Sequence, residues 1–158
     1  MEYSFSGRNY IGQSGEDIFK EYIKSNPVVE NCEDVTDLKP YQIIDIDFVV
    51  EYFYGKKETW EIKTDTYDSG NICFEIDIKD DRGSIGCFIL SKADYWFYYL
   101  QKKNQAIIFD HNKAVEWYHK HDISFRQVKT HSKSYYSVNS LIPIDMLIKN
   151  DWCDIIDL

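Results

Sequence analysis

The sequence predicts a mixed α/β (α+β) domain in which a central mixed β-sheet is flanked by helices. Three observations lead there. An amphipathic helical segment near the N-terminus is followed by closely spaced β-branched and aromatic runs, which read as strands joined by short turns. Beyond them, strand-like and helical segments alternate to the end of the chain, a pattern that suits a sheet with helices packed on it. The 158 residues are 44% hydrophobic and include only seven Gly and three Pro, with no Pro-rich or Ser-rich linker, so residues 1–158 read as one domain around one core.

The first helix spans Ser14 to Lys24. Ser14 can cap it, Glu16 and Asp17 favour its positive end, and Ile18, Phe19, Tyr22 and Ile23 form an apolar face with Glu16 at its edge. Residues 42–54 (QIIDIDFVVEYFY) and 58–64 (ETWEIKT) flank Gly55-Lys56-Lys57 and read as an antiparallel hairpin. Alternation puts Asp45 and Asp47 on one face of its first strand; on the second, Glu61 and Lys63 share one face and Trp60 and Ile62 the other. A third strand, Asn71 to Ile78, follows the turn Tyr67-Asp68-Ser69-Gly70 and completes a meander. Ser91 to Leu100 (SKADYWFYYL) fits helix or strand. Gln105 to Phe109 reads as a buried strand, Lys113 to Lys120 as a short helix, Phe125 to Lys129 and Tyr135 to Ser140 as strands, and Ile144 to Lys149 as the last helix.

The formal net charge of -9 argues against a protein that coats polyanions through bulk charge. Its distribution is uneven. Residues 1–100 carry 10 basic and 20 acidic side chains, whereas residues 101–140 carry 7 basic and 3 acidic ones together with all four histidines. A cation site should therefore draw on the first hundred residues, and a phosphate-facing surface on the basic stretch, with Lys102, Lys103, Lys113, Lys120, Arg126, Lys129 and Lys133 as candidate contacts. Cys32, Cys73, Cys87 and Cys153 show neither CxxC spacing nor regular spacing with histidine, which speaks against zinc and a disulfide framework and for buried reduced thiols. With no leader-like N-terminus and no apolar run of membrane-spanning length, the expectation is a soluble cytoplasmic protein without a membrane partner.

Hard divalent cations such as Mg²⁺ bind carboxylate oxygens, so a site for one needs two or three acids converging from different elements. Asp47 and Glu61 on neighbouring strands and Glu16 on the helix can supply them, and Lys63 adds an ammonium that can orient an attacking water or neutralise charge developing on a phosphate. The Glu61-Ile62-Lys63 triplet alone is weak, since 10 Glu and 15 Lys give about one Glu-x-Lys by chance. Asp37-Leu38-Lys39 runs into Pro40, and Asp77-Ile78-Lys79 has no closely preceding acid on a hairpin partner.

The order helix acid, strand Asp, hairpin, Glu-x-Lys resembles the PD-(D/E)XK nuclease superfamily, the restriction-endonuclease-like fold. GQSGEDIFKEYI, QIIDIDFVV, WEIKTD, SGNICFEI and GSIGCFILSKADYWFYYL are similar to successive blocks of its small phage and bacterial members, from about Gly12 to Leu100, with Leu141-Ile142-Pro143 as a weak continuation. The resemblance implies a restriction-endonuclease-like central mixed sheet. It makes Glu16 the helix acid, Asp47 the strand acid, Glu61 the second acid and Lys63 the active-site lysine, with Glu16, Asp47 and Glu61 holding Mg²⁺ or, as a substitute, Mn²⁺. Glu75 and the Ala93-Asp94-Tyr95 element match accessory positions. The chain departs from the motif in having Ile46 where its name has proline, which leaves Asp45 a competitor for the metal.

The implied activity is metal-dependent hydrolysis of DNA phosphodiesters by an endonuclease in a bacterial or phage-infected cytoplasm. Because the chain has little room for a separate sequence-reading domain, structure-selective or junction-resolving cleavage is a natural variant. Cutting two strands takes two sites, so a homodimer is one assembly open to it, although no interface signature is visible. Lys102, Lys103, Lys113, Arg126 and Lys129 are the substrate-binding candidates. Against this stands a non-catalytic binding module on the nuclease fold, such as a phage protein that sequesters a host or defence factor; the aromatic density around Tyr95, Trp96, Tyr98 and Tyr99 suggests it. Glu16 can also be merely an acid favouring a helix N-terminus, Asp47 and Lys63 a surface ion pair, and Asp94 a cap.

Overall fold

A computed structural model describes residues 5–158, so the first four residues of the N-terminal stretch read above lie outside the described residues. The fold is mixed α and β. Helix α1 (Phe5–Lys24) precedes β1 (Val29–Asp34), the short helix α2 (Lys39–Gln42), β2 (Phe48–Tyr52), β3 (Lys57–Asp65) and β4 (Asn71–Lys79). Then come α3 (Cys87–Leu90), β5 (Tyr95–Leu100), β6 (Gln105–Asp110), α4 (His111–His121), β7 (Arg126–His131), β8 (Tyr136–Pro143), α5 (Ile144–Leu147) and β9 (Cys153–Asp157).

A six-stranded sheet has the order β1-β2-β3-β5-β6-β9, and a three-stranded sheet has the order β4-β8-β7. Within the larger sheet β3 and β5 are parallel, with Glu61 opposite Trp96 and Lys63 opposite Tyr98, and every other pairing is antiparallel. The meander is thus β1-β2-β3. The expected third strand of the meander, β4, crosses to the second sheet and pairs with β8, because period-two alternation marks a strand without naming its partner.

The start of the first helix and the exposure of the aromatic segment differ from expectation. Helix α1 starts nine residues before Ser14, through Gly7 and Gly12, whose low helix propensity is overridden. Ser14 is therefore interior, and Glu16 lies about three turns in, too deep for a helix N-terminus to account for it. Of the segment SKADYWFYYL, open between helix and strand, Tyr95–Leu100 forms strand β5 and Ser91–Asp94 precede it outside the strand. Both faces of β5 are covered, leaving Trp96 1%, Tyr98 5% and Tyr99 6% exposed, so these three form core and offer no docking surface, while Tyr95 is partly buried.

Alternation along β5 separates two apolar clusters. Phe97 and Tyr99 join Phe19 and Ile23 of α1, Phe48, Val50 and Tyr52 of β2, and Trp60 and Ile62 of β3. On the opposite face Trp96, Tyr98 and Leu100 pack with Ile72 and Phe74 of β4, Phe88 of α3, Tyr118 of α4 and Ile142 of β8. The four cysteines are free thiols, but only Cys153 is fully buried and Cys73 is exposed. Among the described residues no helix is long and apolar enough to cross a membrane.

Candidate metal and active site

The stretch before β2 does not continue the strand. After α2, Ile44 N–H and Ile46 N–H donate to Tyr41 C=O, Asp45 N–H donates to Gln42 C=O, and Asp45 takes a left-handed backbone with φ 55°. Asp45 and Asp47 are therefore not alternation mates on a strand face. Both nonetheless reach the same place.

Asp47 marks the point where β2 stops covering β3. Its N–H donates to Trp60 C=O at 2.9 Å, and its Oδ2 accepts from Ile62 N–H at 2.8 Å, supplying the partner that a longer β2 would have given. Glu61 and Lys63 point to the β5 face that carries Trp96. Glu61 is only 2% exposed, and its Oε1 accepts a hydrogen bond from the Lys63 ammonium. That ammonium also stands 3.6 Å from Asp45 Oδ2 and 5.2 Å from the centroid of the Trp96 ring, against which His111 stacks. Glu61 Oε2 and Asp45 Oδ2 are shut off from solvent and have no hydrogen-bond partner among the described residues.

Glu16 approaches from α1, on the other face of the sheet. Gly15 makes this approach possible: a Cβ there would lie 2.0 Å from Thr64 Oγ1. Glu16 is pushed up to about 6 by burial, then by repulsion from Asp47 and Asp34, with Lys20 opposing. Asp47 is raised by burial, despite the Ile62 N–H and Lys63. Glu61 is held well above the usual carboxylate range by burial, which Lys63 opposes and Asp47 and Asp45 reinforce. Burial acts to lower Lys63, but Glu61, with Cys87 and Asp45, holds it well above its ordinary value.

Asp47, Glu61 and Lys63 are thus brought together, while Glu16 meets the group through Asp47 alone. Among the described residues no three His, Cys, Asp or Glu side chains form a ready ligand set. Asp45, which the sequence offers as a competitor of Asp47 on the same strand face, joins them from a turn instead. Ser91 carries no signal in the sequence. Its hydroxyl donates to Asp45 C=O and accepts from Trp96 Nε1–H, tying the turn to the ring beneath Lys63.

The accessory residues have structural tasks. Glu75 Oε1 accepts from Cys87 N–H at the start of α3, and Asp94 Oδ2 accepts from the N–H and hydroxyl of Thr59, so it ties β5 to β3 and caps no helix. The basic candidates occupy three places. Lys102 and Lys103 follow β5 at the end reached by Asp65 of β3, where Lys103 pairs with Asp68 at 3.1 Å. Lys113 lies in the first turn of α4, which follows β6 at the other end of β5, about 17 Å away by strand rise. Arg126 and Lys129 lie on β7 of the second sheet, with Lys129 over the Tyr136 ring.

In comparisons with protein-family models, with curated proteins and with solved structures, nothing matches this chain.

Proposed function

We propose that the chain is a divalent-cation-dependent nuclease of restriction-endonuclease-like fold, hydrolysing DNA phosphodiester bonds. The observation that carries the reading is the buried Glu61 carboxylate, one oxygen on Lys63 and the other without a partner, beside Asp47 where two strands part. The meander β1-β2-β3 with a parallel neighbour on β3 also supports it. The residues fit a cation: oxygen donors predominate, a buried Glu61 oxygen lacks a partner, and Glu16, Asp47 and Glu61 are all raised in the direction that a nearby positive charge would reverse.

Asp47 and Glu61, with Glu16 closing from α1, would hold Mg²⁺ or Mn²⁺, which supplies Lewis acidity toward the phosphate oxygens when bound. Lys63 orients the attacking water and balances the negative charge that grows as it adds to phosphorus. The water oxygen forms a new P–O bond as one ester P–O bond breaks, and the proton the water gives up balances the one taken by the leaving oxygen. Lys102 and Lys103 are the candidate phosphate contacts at the strand end beyond Lys63.

Supercoiled plasmid incubated with Mg²⁺ or Mn²⁺ tests this. Nicking that is lost in Lys63→Ala and in Asp47→Ala is expected. Absence of cleavage across duplex, branched and single-stranded DNA, or unchanged cleavage in both variants, refutes it. A binding module would instead show no rise in melting temperature with Ca²⁺.

A further inference from the structure

We infer that Asp45 is a positioning residue that gives the Lys63 ammonium a second seat, taken up when the charge of Glu61 is engaged elsewhere. Its cation-dependent part rests on the proposed function.

The ammonium stands between two carboxylates, in contact with Glu61 Oε1 and 3.6 Å from Asp45 Oδ2. A charge-assisted contact closes at about 2.7–2.9 Å, so less than about 1 Å of movement moves it from one acid to the other. Asp45 Oδ2 is shielded from solvent without a hydrogen bond, so the ammonium is the one cationic group within ion-pair reach of it among the described residues. The rest of the residue is anchored: Ser91 Oγ donates to Asp45 C=O at 3.0 Å, Lys92 N–H donates to Ile44 C=O at 2.9 Å, and φ is held at 55°. Gly or Asn would meet that backbone at least as easily. What Asp alone adds is a formal charge facing Lys63.

The second seat removes a conflict in the site. Glu61 cannot satisfy a divalent cation and keep its full interaction with Lys63, and a cation entering beside the ammonium would repel it. With Asp45 behind it, Lys63 can leave Glu61 without leaving the site, still over the Trp96 ring, which Ser91 ties to the same turn.

Glu61→Gln removes the competing charge without any metal, so the seat can be tested on the bare protein. A double-mutant cycle between Asp45→Asn and Lys63→Met, read by urea unfolding, should show weak coupling in the wild-type background and five- to tenfold stronger coupling in the unfolding constant in Glu61→Gln. Should Lys63→Met fail to fold, the Lys63 ¹⁵Nζ and ¹³Cε resonances replace the cycle. Asp45→Asn should shift them strongly in Glu61→Gln and slightly otherwise, which a merely structural role for Asp45 would not produce. Equal coupling or equal shifts in the two backgrounds overturn the inference. Adding Ca²⁺ to the Glu61-containing protein should raise the 45–63 coupling in the same way. A rise in Glu61→Gln with no response of melting to Ca²⁺ supports the seat and overturns the cation-dependent function.

Discussion

Replacing Glu16 with glutamine should stabilise the protein at neutral pH and leave it unchanged in acid. The folded carboxyl holds its proton up to about 6 against an ordinary 4.5, through burial first and then repulsion by Asp47 and Asp34. As pH rises through that window the folded state binds more protons than the unfolded one, so stability falls, and above about 6 the loss is constant. At 1.36 kcal/mol per pH unit, the interval from 4.5 to about 6 corresponds to about 2 kcal/mol at most. Solvent reaches part of the side chain, and screening reduces the expected gain of Glu16→Gln to about 1 kcal/mol near pH 7.5. For a chain of this size that is a rise of roughly 2–4 °C in melting temperature.

Urea unfolding of both proteins at intervals from about pH 4 to pH 8 measures the difference directly. It should be near zero at the acid end, grow between about 4.5 and 6, and then level off. A bound cation relieves the same repulsion, so Ca²⁺ should stabilise wild type more near pH 7.5 than near pH 5, and Glu16→Gln less than wild type. A difference that is flat across pH, or a glutamine variant less stable than wild type near pH 7.5, would refute the placement of Glu16 beside Asp47. A variant that is more stable yet slower in cleavage is the signature of a residue retained for the site.

The other expectations concern packing, a second pH window and salt. Gly15→Ala forces a Cβ to within 2.0 Å of Thr64 Oγ1 and should cost about 1–3 kcal/mol in urea unfolding; adding Thr64→Ala, which deletes a buried hydroxyl without a partner, should recover much of it. Burial lowers the His111 pKa from its ordinary 6.5, against the opposing Phe88 C=O and Asp45. Its contribution to stability is therefore complete above about 6.5 and lost as pH falls below that, and His111→Phe should flatten this part of the stability profile. Since only Lys102 and Lys103 of the five substrate-binding candidates sit at the strand end beyond Lys63, DNA affinity should fall with log salt at a slope near -2, measured by fluorescence anisotropy with Ca²⁺ present; a slope near -5 would mean that all five contribute.

Which features could be read from the sequence follows from how local their causes are. Glu61 and Lys63 share a face because β3 alternates regularly, and Gly55 turns the chain back between β2 and β3, so both were legible. Asp45 was not. Its segment, QIIDIDFVV, is uniformly rich in β-branched residues, and nothing local announces that Ser91, forty-six residues away, will hold it in a left-handed turn. Strands β1 and β9 carry no sequence signal because they are mostly exposed edge strands without an apolar alternation. The partner of β4 is set by contact with β8, more than fifty residues along the chain, which no short-range pattern contains.

The arrangement around Lys63 is not what stability alone would select. A buried ion pair seldom outperforms an apolar pair of the same volume, so Glu61 with Lys63 is at best neutral. Around that pair the fold adds Asp47 and Asp45, brings Glu16 up to Asp47 through a glycine contact, and holds Asp45 in a backbone that costs about 1 kcal/mol or more. Each addition increases repulsion without supplying a cation, which is why burial and neighbouring acids raise Glu16, Asp47 and Glu61 together. Were the acids only solvating a surface, they would lie apart, on the exposed edge of β1, where Glu30 and Glu33 already do that work. Local rules broken at one point in an otherwise consistent fold indicate a requirement from outside the folded chain, and here a divalent cation would meet it.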